Sequence, residues 1–235
     1  MLKKGGDVTQ QVIPGPFSSR GIEIVPQLGK TALLVIDMQY LDAHSLHGVG
    51  RIARETGYDQ RMSYYFDQMP QVIANIQSLL VACRGAGVEV IHTMIAAQTR
   101  DFRDAGRALR IRGLLTHQSS KEAQIIEELS PQGDEIVLPK TSSSIFNSTA
   151  VDQILHNLGI ECLILVGVVT DHCVELSARD ASDRGYDVLV ASDGCATFTE
   201  RLQRSALRRM DLGTMRVKTT GEVVDLILAM PTDKP

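Results

Sequence analysis

Residues 162–173 read CLILVGVVTDHC, and this stretch decides the fold. Its first six residues are apolar or small without alternation, which indicates a strand buried on both faces. Strands of this kind form parallel sheets that helices cover on both sides. Cys173 then opens a predicted helix over 172–184, which Gly185 ends.

Apolar runs and helical patterns alternate in both directions from this strand. Five further runs predict strands: ALLVI (32–36), VEVIHT (88–93), EIVLPK (135–140), DVLVAS (187–192) and TMRVKT (214–219). Helices are predicted between most of them, over 69–83, 151–158, 200–211 and 221–230, and loop with short helix over the arginine-rich stretch 98–118. Six strands separated in this way predict an α/β fold around a parallel sheet.

Three chemically active side chains stand at the ends of predicted strands. Asp37 follows ALLVI, Lys140 ends EIVLPK, and Cys173 follows CLILVG after a short link. Right-handed crossovers place the carboxyl ends of all parallel strands at one edge of the sheet, where open α/β sheets bind their ligands. We therefore expect an acid, a base and a thiol to meet in one cleft.

Cys173 has a catalytic and a structural interpretation of similar weight. At a helix N-terminus the free N–H groups lower the pKa of a thiol, favour the nucleophilic thiolate and can hold an oxyanion. Thr170 and Asp171 just before it are suitable N-cap residues. The structural alternative is a small core residue. That interpretation suits the other cysteines, namely Cys83, Cys162 and Cys195, the last of which follows a predicted Ser-Asp-Gly turn.

Asp37 and Lys140 also have two interpretations each. A carboxylate directly after five apolar residues is a helix cap, a member of a buried ion pair, or the proton acceptor of the thiol. Lys140 is either a surface lysine with a buried stem or a cation that favours both anions.

Composition excludes several classes of protein. The 235 residues are 43% hydrophobic and 22% charged, with a net charge of −4, which disfavours nucleic-acid partners. Apolar runs stay below the roughly 18–20 residues of a membrane span, and the opening MLKKGGDVTQQ does not resemble a secretory signal. Four cysteines without a CxxC pair suggest neither a disulfide framework nor a zinc site, so a cytoplasmic location is expected.

The sequence offers little support for a metal site, a Cys-His catalytic dyad or a nucleotide-binding site. Asp42, His44 and His47 are close in sequence and His92 lies at the end of the neighbouring predicted strand, so a metal site there is possible but is not favoured. His172 adjoins Cys173, yet adjacent helical residues do not face each other, which disfavours a Cys-His dyad. The sequence contains neither GxGxxG nor GxxxxGK[ST]. We expect no metal and no cofactor.

Residues 1–30 are rich in glycine and proline and predict an N-terminal arm, either mobile or packed on another subunit. The rest of the chain, 31–235, contains no linker and is expected to form a single domain.

Three blocks of the sequence resemble the isochorismatase-like cysteine hydrolases. They are TALLVIDMQ (31–39), LPKTSSSIFNST (138–149) and LILVGVVTDHCVELSARDASDRGYDVLVASDGCAT (163–197). That superfamily includes nicotinamidases, N-carbamoylsarcosine amidases, and hydrolases of ureidoacrylate, biuret and triuret. The resemblance runs from Thr31 to Thr219 and does not specify one substrate.

The resemblance implies a Rossmann-like, three-layer α/β/α fold with a six-stranded, mostly parallel sheet. It implies a catalytic triad at Asp37, Lys140 and Cys173. It further implies a cis peptide between Val168 and Val169, and an oxyanion hole formed by the backbone N–H groups of Val169 and Cys173. Together with the arm, it favours a homo-oligomer, either dimer or tetramer.

The resemblance also implies an activity, that of a cysteine amidohydrolase. The enzyme would cleave a C–N bond in a small linear amide or ureido compound through a thioester. Nicotinamidases carry an Asp-x-His metal motif well downstream of the first acid, whereas Asp42-Ala43-His44 lies only five residues beyond Asp37. True isochorismatases, which cleave a vinyl ether, lack the nucleophilic cysteine. A nicotinamidase-type metal enzyme, a vinyl ether hydrolase and a non-catalytic ligand-binding or redox-sensing domain remain the alternatives.

Substrate contacts are expected near the triad. Gln39 and Tyr40 lie just past the first strand, and Phe146 follows Lys140. The segment that contains Arg103, Arg107, Arg110 and Arg112 is either a lid with a carboxylate-binding arginine or a solvated or interface surface.

Overall fold

Six strands form one sheet in the structure, a computed structural model that describes residues 22–231. The strands are β1 (Thr31–Ile36), β2 (Glu89–Ile95), β3 (Ile136–Lys140), β4 (Cys162–Val168), β5 (Asp187–Ala196) and β6 (Met215–Lys218). Their order is β3-β2-β1-β4-β5-β6, and every neighbouring pair is parallel. The predicted α/β fold is confirmed. Residues 1–21 of the predicted arm lie outside the described residues.

Eight α-helices lie between or after the strands within the described range. They are α1 (Tyr40–Ala43), α2 (Gly48–Glu55), α3 (Asp59–Ala86), α4 (Arg107–Arg112), α5 (Val151–Asn157), α6 (Glu175–Asp183), α7 (Glu200–Met210) and α8 (Thr220–Leu228). A π-helical turn over Thr170–Val174 precedes α6, so Cys173 lies in this turn rather than in the α-helix itself. The sequence did not predict α1 and α2, and α3 begins at Asp59 instead of at residue 69.

Alternate residues of β1 point into two separate cores. Leu33 and Val35 pack in the cluster that contains the apolar faces of α3 and α8. Ala32, Leu34 and Ile36 pack in the cluster on the other face, with α5, α6 and α7. Since each fully buried aliphatic side chain contributes about 1.5–3 kcal/mol, β1 is held firmly between two helical layers.

The chain changes direction within the sheet between β1 and β4, and this switch opens a crevice at the carboxyl ends of both strands. Gly167 of β4 pairs with Ile36 of β1 at the crevice. Its φ angle is +113°, and a Cβ atom there would lie 2.0 Å from the carbonyl oxygen of Ile36. Only glycine permits this approach of the two strands.

The β5 strand is longer than predicted. A turn was expected at Ser192-Asp193-Gly194, but β5 continues to Ala196. Its register with β4 shifts between Leu165 and Gly167, so the extra residues form a bulge rather than a turn. No helix in the described part of the chain is both long and apolar enough to cross a membrane.

Candidate active site

The ammonium group of Lys140 lies at the centre of the site. The side chain is completely buried, and Nζ donates to the carbonyl oxygen of Ser142 at 2.9 Å and contacts Sγ of Cys173 at 3.4 Å. Nζ also lies 2.8 Å from Oδ2 of Asp37. The ammonium group therefore makes two hydrogen bonds and one buried ion pair. The structure therefore brings together the three residues that were predicted at three strand ends.

Asp37 is held from the neighbouring strand. Oγ1 of Thr93 donates to Oδ1 of Asp37 at 2.8 Å, and the carbonyl oxygen of Thr93 accepts from the backbone N–H of Asp37 at 3.2 Å. With Lys140 on Oδ2, both carboxylate oxygens have a fixed partner. Asp37 has a φ angle of +54°, a left-handed conformation that costs a non-glycine residue about 1–3 kcal/mol. The Thr93 contact was not predicted, although Thr93 pairs with Ile36 in the sheet register.

Burial controls the charge of the site. It raises the pKa of the Cys173 thiol to about 12, because desolvation outweighs the opposing effect of Lys140 and the Asp37 carboxylate adds to it. Cys173 therefore does not have the lowered pKa that was expected for a thiol at a helix N-terminus. Burial also lowers the pKa of Lys140, but the nearby Asp37 and Cys173 outweigh it and raise that pKa overall. The resting site holds an ammonium group beside a neutral thiol.

Two side chains of the turn that carries Cys173 form hydrogen bonds to neighbouring elements and do not cap the turn. Oγ1 of Thr170 donates to Oε1 of Gln203 in α7 at 2.7 Å. Asp171 accepts from Oγ1 of Thr197, just past β5, at 2.5 Å. The prediction that Thr170 and Asp171 act as N-caps is wrong, because both side chains turn to these neighbouring elements. The peptide bond between Val168 and Val169, at the entrance to the turn, is cis.

A cavity of about 260 Å³ opens beside the three residues. Cys173 is 7% exposed and borders this cavity. Val169, whose N–H group the resemblance assigns to an oxyanion hole, borders it as well. The remaining wall combines apolar and polar side chains: Asp37, Asp42, Val49, Ile95, Leu109, Arg112, Leu114, Ser143, Val168, His172 and Phe198.

The three expected substrate contacts lie outside the cavity wall. Gln39 is fully buried, and its amide donates to the carbonyl oxygens of Ile95 and Glu122 and accepts from the N–H of Ile95. The Tyr40 ring packs under Nζ of Lys121, 3.7 Å from the ring centre. Phe146 packs against Tyr186 and Arg184. These expectations are corrected: Gln39 anchors the loops around β1, and the two aromatic residues pack elsewhere.

One arginine of the predicted lid segment borders the cavity. Arg112 ends α4 and is exposed. Arg110 donates to the carbonyl oxygens of Ala105 and Phe102, and Arg103 forms an ion pair with Asp101, so both stabilise the local loop. The sequence offered no means of choosing among the four arginines.

Two polar residues of the cavity wall had not been assigned to substrate chemistry. Asp42 was considered only as a metal ligand, and His172 only as a dyad partner. Of the other metal candidates, His44 and His47 pack against each other with ring centres 4.8 Å apart, and Nε2 of His92 lies 3.2 Å from Glu135. Among residues 22–231, no group of three His, Cys, Asp or Glu side chains is arranged to hold a metal ion.

Comparison with known proteins places this geometry in a family. The isochorismatase domain model matches residues 31–222. The chain belongs to the isochorismatase family. The match confirms the resemblance to this family.

This isochorismatase-family chain is 33% identical to two proteins named ureidoacrylate amidohydrolase RutB. The one from Agrobacterium fabrum aligns over 181 residues, 70% of this chain and 75% of the relative. The one from Rhizobium rhizogenes aligns over 208 residues, 81% of this chain and 77% of the relative.

Solved structures share the fold of this isochorismatase-family chain. A cysteine hydrolase from Pseudomonas syringae pv. phaseolicola superimposes with a TM-score of 0.74 at 26% identity, covering 88% of this chain and 97% of that chain. An N-carbamoylsarcosine amidase from Thermoplasma acidophilum superimposes with a TM-score of 0.64 at 24% identity, covering 81% and 96%. The second comparison supports the fold alone.

Proposed function

We propose that this isochorismatase-family protein is a cysteine-dependent amidohydrolase that cleaves a C–N bond in a small linear amide or ureido compound. The observation that carries the proposal is the buried ammonium group of Lys140, which contacts both the Asp37 carboxylate and the Cys173 sulfur beside a cavity. The relatives named ureidoacrylate amidohydrolase support the same class of reaction.

The first step forms a thioester. Because the Cys173 thiol is protonated at rest, Asp37 removes its proton as the sulfur attacks the carbonyl carbon. This transfer moves negative charge from the carboxylate to the sulfur, and Lys140 contacts both groups, so the charge stays beside the same cation. The backbone N–H groups of Val169 and Cys173 then hold the oxyanion of the tetrahedral intermediate.

The second step releases the product. Asp37, now protonated, gives its proton to the departing nitrogen, and ammonia or a small amine leaves. Water enters, Asp37 removes one of its protons, and the resulting hydroxide attacks the thioester carbonyl. Collapse of this intermediate returns the proton to Cys173 and releases a carboxylic or carbamic acid. The thiol and the carboxylate are regenerated for the next cycle.

The cavity wall suggests the class of substrate. Its volume of about 260 Å³ suits a compound of a few carbon atoms. Arg112 borders it and has no carboxylate within ion-pair distance in the described part of the chain. We propose that the guanidinium group of Arg112 pairs with a carboxylate of the substrate, which makes a carboxylated ureide or amide the favoured compound.

Ammonia release from a panel of compounds tests this function. The panel contains ureidoacrylate, N-carbamoyl amino acids, maleamate, biuret, triuret and nicotinamide. We expect Cys173→Ala to reduce turnover of the accepted compound at least about 1,000-fold, because it removes the nucleophile. Cys83→Ala, which alters a buried cysteine of α3, is the control and should retain activity. Unchanged turnover in Cys173→Ala contradicts the mechanism, and rapid alkylation of Cys173 without turnover of any compound favours the ligand-binding alternative.

A further inference from the structure

Asp42 is a buried carboxyl group that the proposed steps do not use. It lies in α1, five residues beyond Asp37, is 6% exposed and borders the cavity. Its Oδ2 atom is completely buried and has no hydrogen-bond partner among the described residues. The hydroxyl of Tyr65, itself buried in α3, donates to the backbone carbonyl oxygen of Asp42 at 3.0 Å and so fixes this turn at the cavity.

A buried, unpartnered carboxyl group needs an explanation. Leaving such an acceptor without a donor costs about 1–3 kcal/mol, and more when it is charged. Burial raises the pKa of Asp42 to about 7, the Asp37 carboxylate adds to this shift, and Lys140 opposes it. A bound molecule that donates a hydrogen bond to the Asp42 carboxyl group would favour its ionised form.

The chemistry of ureides matches this acceptor. The group R–NH–CO–NH₂ presents two parallel N–H bonds on the side opposite its carbonyl oxygen. A carboxylate accepts such a pair with its two oxygens, as it does the parallel N–H bonds of a guanidinium group. The corresponding amide, R–CH₂–CO–NH₂, presents only one N–H on that side. A carboxylate beside the reacting carbonyl therefore distinguishes the two compounds by one charge-assisted hydrogen bond.

We propose that Asp42 is a specificity-determining residue that accepts the paired N–H groups of the substrate and makes the enzyme select ureides over simple amides. The proposal rests on the proposed amidohydrolase function and extends it to the substrate class. Asp42 and Arg112 both border the cavity, so one wall group is available for the ureido end and another for an anionic end of the same small compound.

Binding to an inactive protein separates this proposal from the catalytic one. The probes are 3-ureidopropionate and glutaramate, which differ only by NH in place of CH₂ next to the carbonyl. We measure both affinities by calorimetry in Cys173→Ala and in Cys173→Ala combined with Asp42→Asn. We expect the first protein to bind the ureide at least about 10-fold more tightly and the second to reduce this preference to within about threefold.

Controls keep the outcome specific to Asp42. Asp67→Asn removes an exposed carboxyl group of α3 and should leave the preference unchanged. Asp42→Ala, which lacks any acceptor at this position, should lose the preference as Asp42→Asn does, and circular dichroism checks that each variant is folded. A preference that survives both Asp42 variants, or equal or absent binding of the two probes to Cys173→Ala, overturns the proposal. Turnover is not needed for this result, so the Cys173 activity test can fail or succeed independently.

The pH dependence of binding provides a second readout. Protonation of Asp42 removes an acceptor, so the affinity for 3-ureidopropionate should fall as the pH decreases from 8 to 6. Asp42→Asn should abolish that dependence, whereas a dependence that persists unchanged in the variant contradicts the proposal. The charged or titratable groups that face Asp42 or share its cavity are Asp37, Lys140, Cys173, Tyr65, His172 and Arg112. All of them remain in the variant pair apart from Cys173, which is replaced in both proteins.

Discussion

Lys140 carries a positive charge where no solvent reaches it, and the Asp37 carboxylate beside it is equally buried. Removing one member of such a pair leaves the other charge uncompensated. We expect Lys140→Met to lower the free energy of unfolding by about 3–5 kcal/mol and to abolish turnover. Urea denaturation measures the loss. Combining Lys140→Met with Asp37→Asn should restore part of the stability but none of the activity, and a Lys140→Met protein as stable as the parent contradicts the buried pair.

Asp42 links function to stability through its raised pKa. A raised pKa means that the folded protein binds the proton more tightly than the unfolded chain, whose ordinary value is 3.8. Stability is therefore lost as the pH rises from about 4 to about 7, by at most about 4 kcal/mol. We expect Asp42→Asn to be more stable than the parent at pH 8 and equal to it near pH 4. Urea denaturation at both pH values checks this, and a difference independent of pH refutes the assignment.

Arg112 is expected to act on one class of substrate only. Arg112→Gln should raise KM for carboxylated compounds such as ureidoacrylate about 10- to 100-fold, because it removes a charged hydrogen-bond donor. Turnover of uncharged biuret should not change. Arg107→Gln, an exposed arginine at the other end of α4, is the matched control. Equal effects on charged and uncharged compounds would show that Arg112 supports the cavity rather than binding a carboxylate.

At the scale of single residues, the reactive side chains at the strand ends could be predicted from the sequence, but the residues that surround them could not. Asp37, Lys140 and Cys173 follow apolar runs, and parallel topology alone brings such positions to one edge. Asp42 and Arg112 lie on connecting segments, whose approach to the cavity depends on contacts from distant helices. The pKa of Cys173 also escaped prediction, because the degree of burial decides its direction and a one-dimensional pattern does not reveal it.

At the scale of elements, close contact between β1 and β4 shapes the crevice. We expect Gly167→Ala to destabilise the protein by several kcal/mol or to prevent folding, because its Cβ would lie 2.0 Å from a backbone oxygen of β1 and its φ angle is +113°. Gly85→Ala in α3 is the control: nothing lies within 4 Å of its Cβ, and alanine should add up to about 1 kcal/mol. Thermal unfolding compares the two variants, and a mild effect of Gly167→Ala contradicts the close approach.

For two elements, α3 and β5, local sequence rules predicted only part of the observed length. The predicted start at residue 69 came from the helical spacing of apolar residues that begins at Met69, yet α3 starts at Asp59 and runs through Pro70. Burial of Tyr65 on this earlier part outweighs the lost backbone hydrogen bond. Gly194 suggested a turn, but β5 accommodates it in a bulge. Packing against the sheet decided both cases.

At the scale of the whole molecule, continuous apolar runs predicted the sheet and its layers, whereas a homo-oligomer was expected only from the family resemblance and the N-terminal arm. Val81 of α3 and Leu228 of α8 are about 70% exposed beside an apolar groove. Exposed apolar surface of this kind favours association, and we expect a homo-oligomer. Light scattering after size-exclusion chromatography should give a multiple of 25.7 kDa. A monomer mass at micromolar concentration contradicts this expectation.

The Lys140 cluster joins β1, β3 and β4, which are far apart along the chain. A partly assembled sheet therefore lacks the arrangement that activates the sulfur in the proposed mechanism, however much helix it already contains. During dilution from urea, recovery of ammonia release should lag behind recovery of far-ultraviolet circular dichroism. Recovery of enzymatic activity would then report when the central strands dock. Spectroscopic signals from the helices cannot resolve that event.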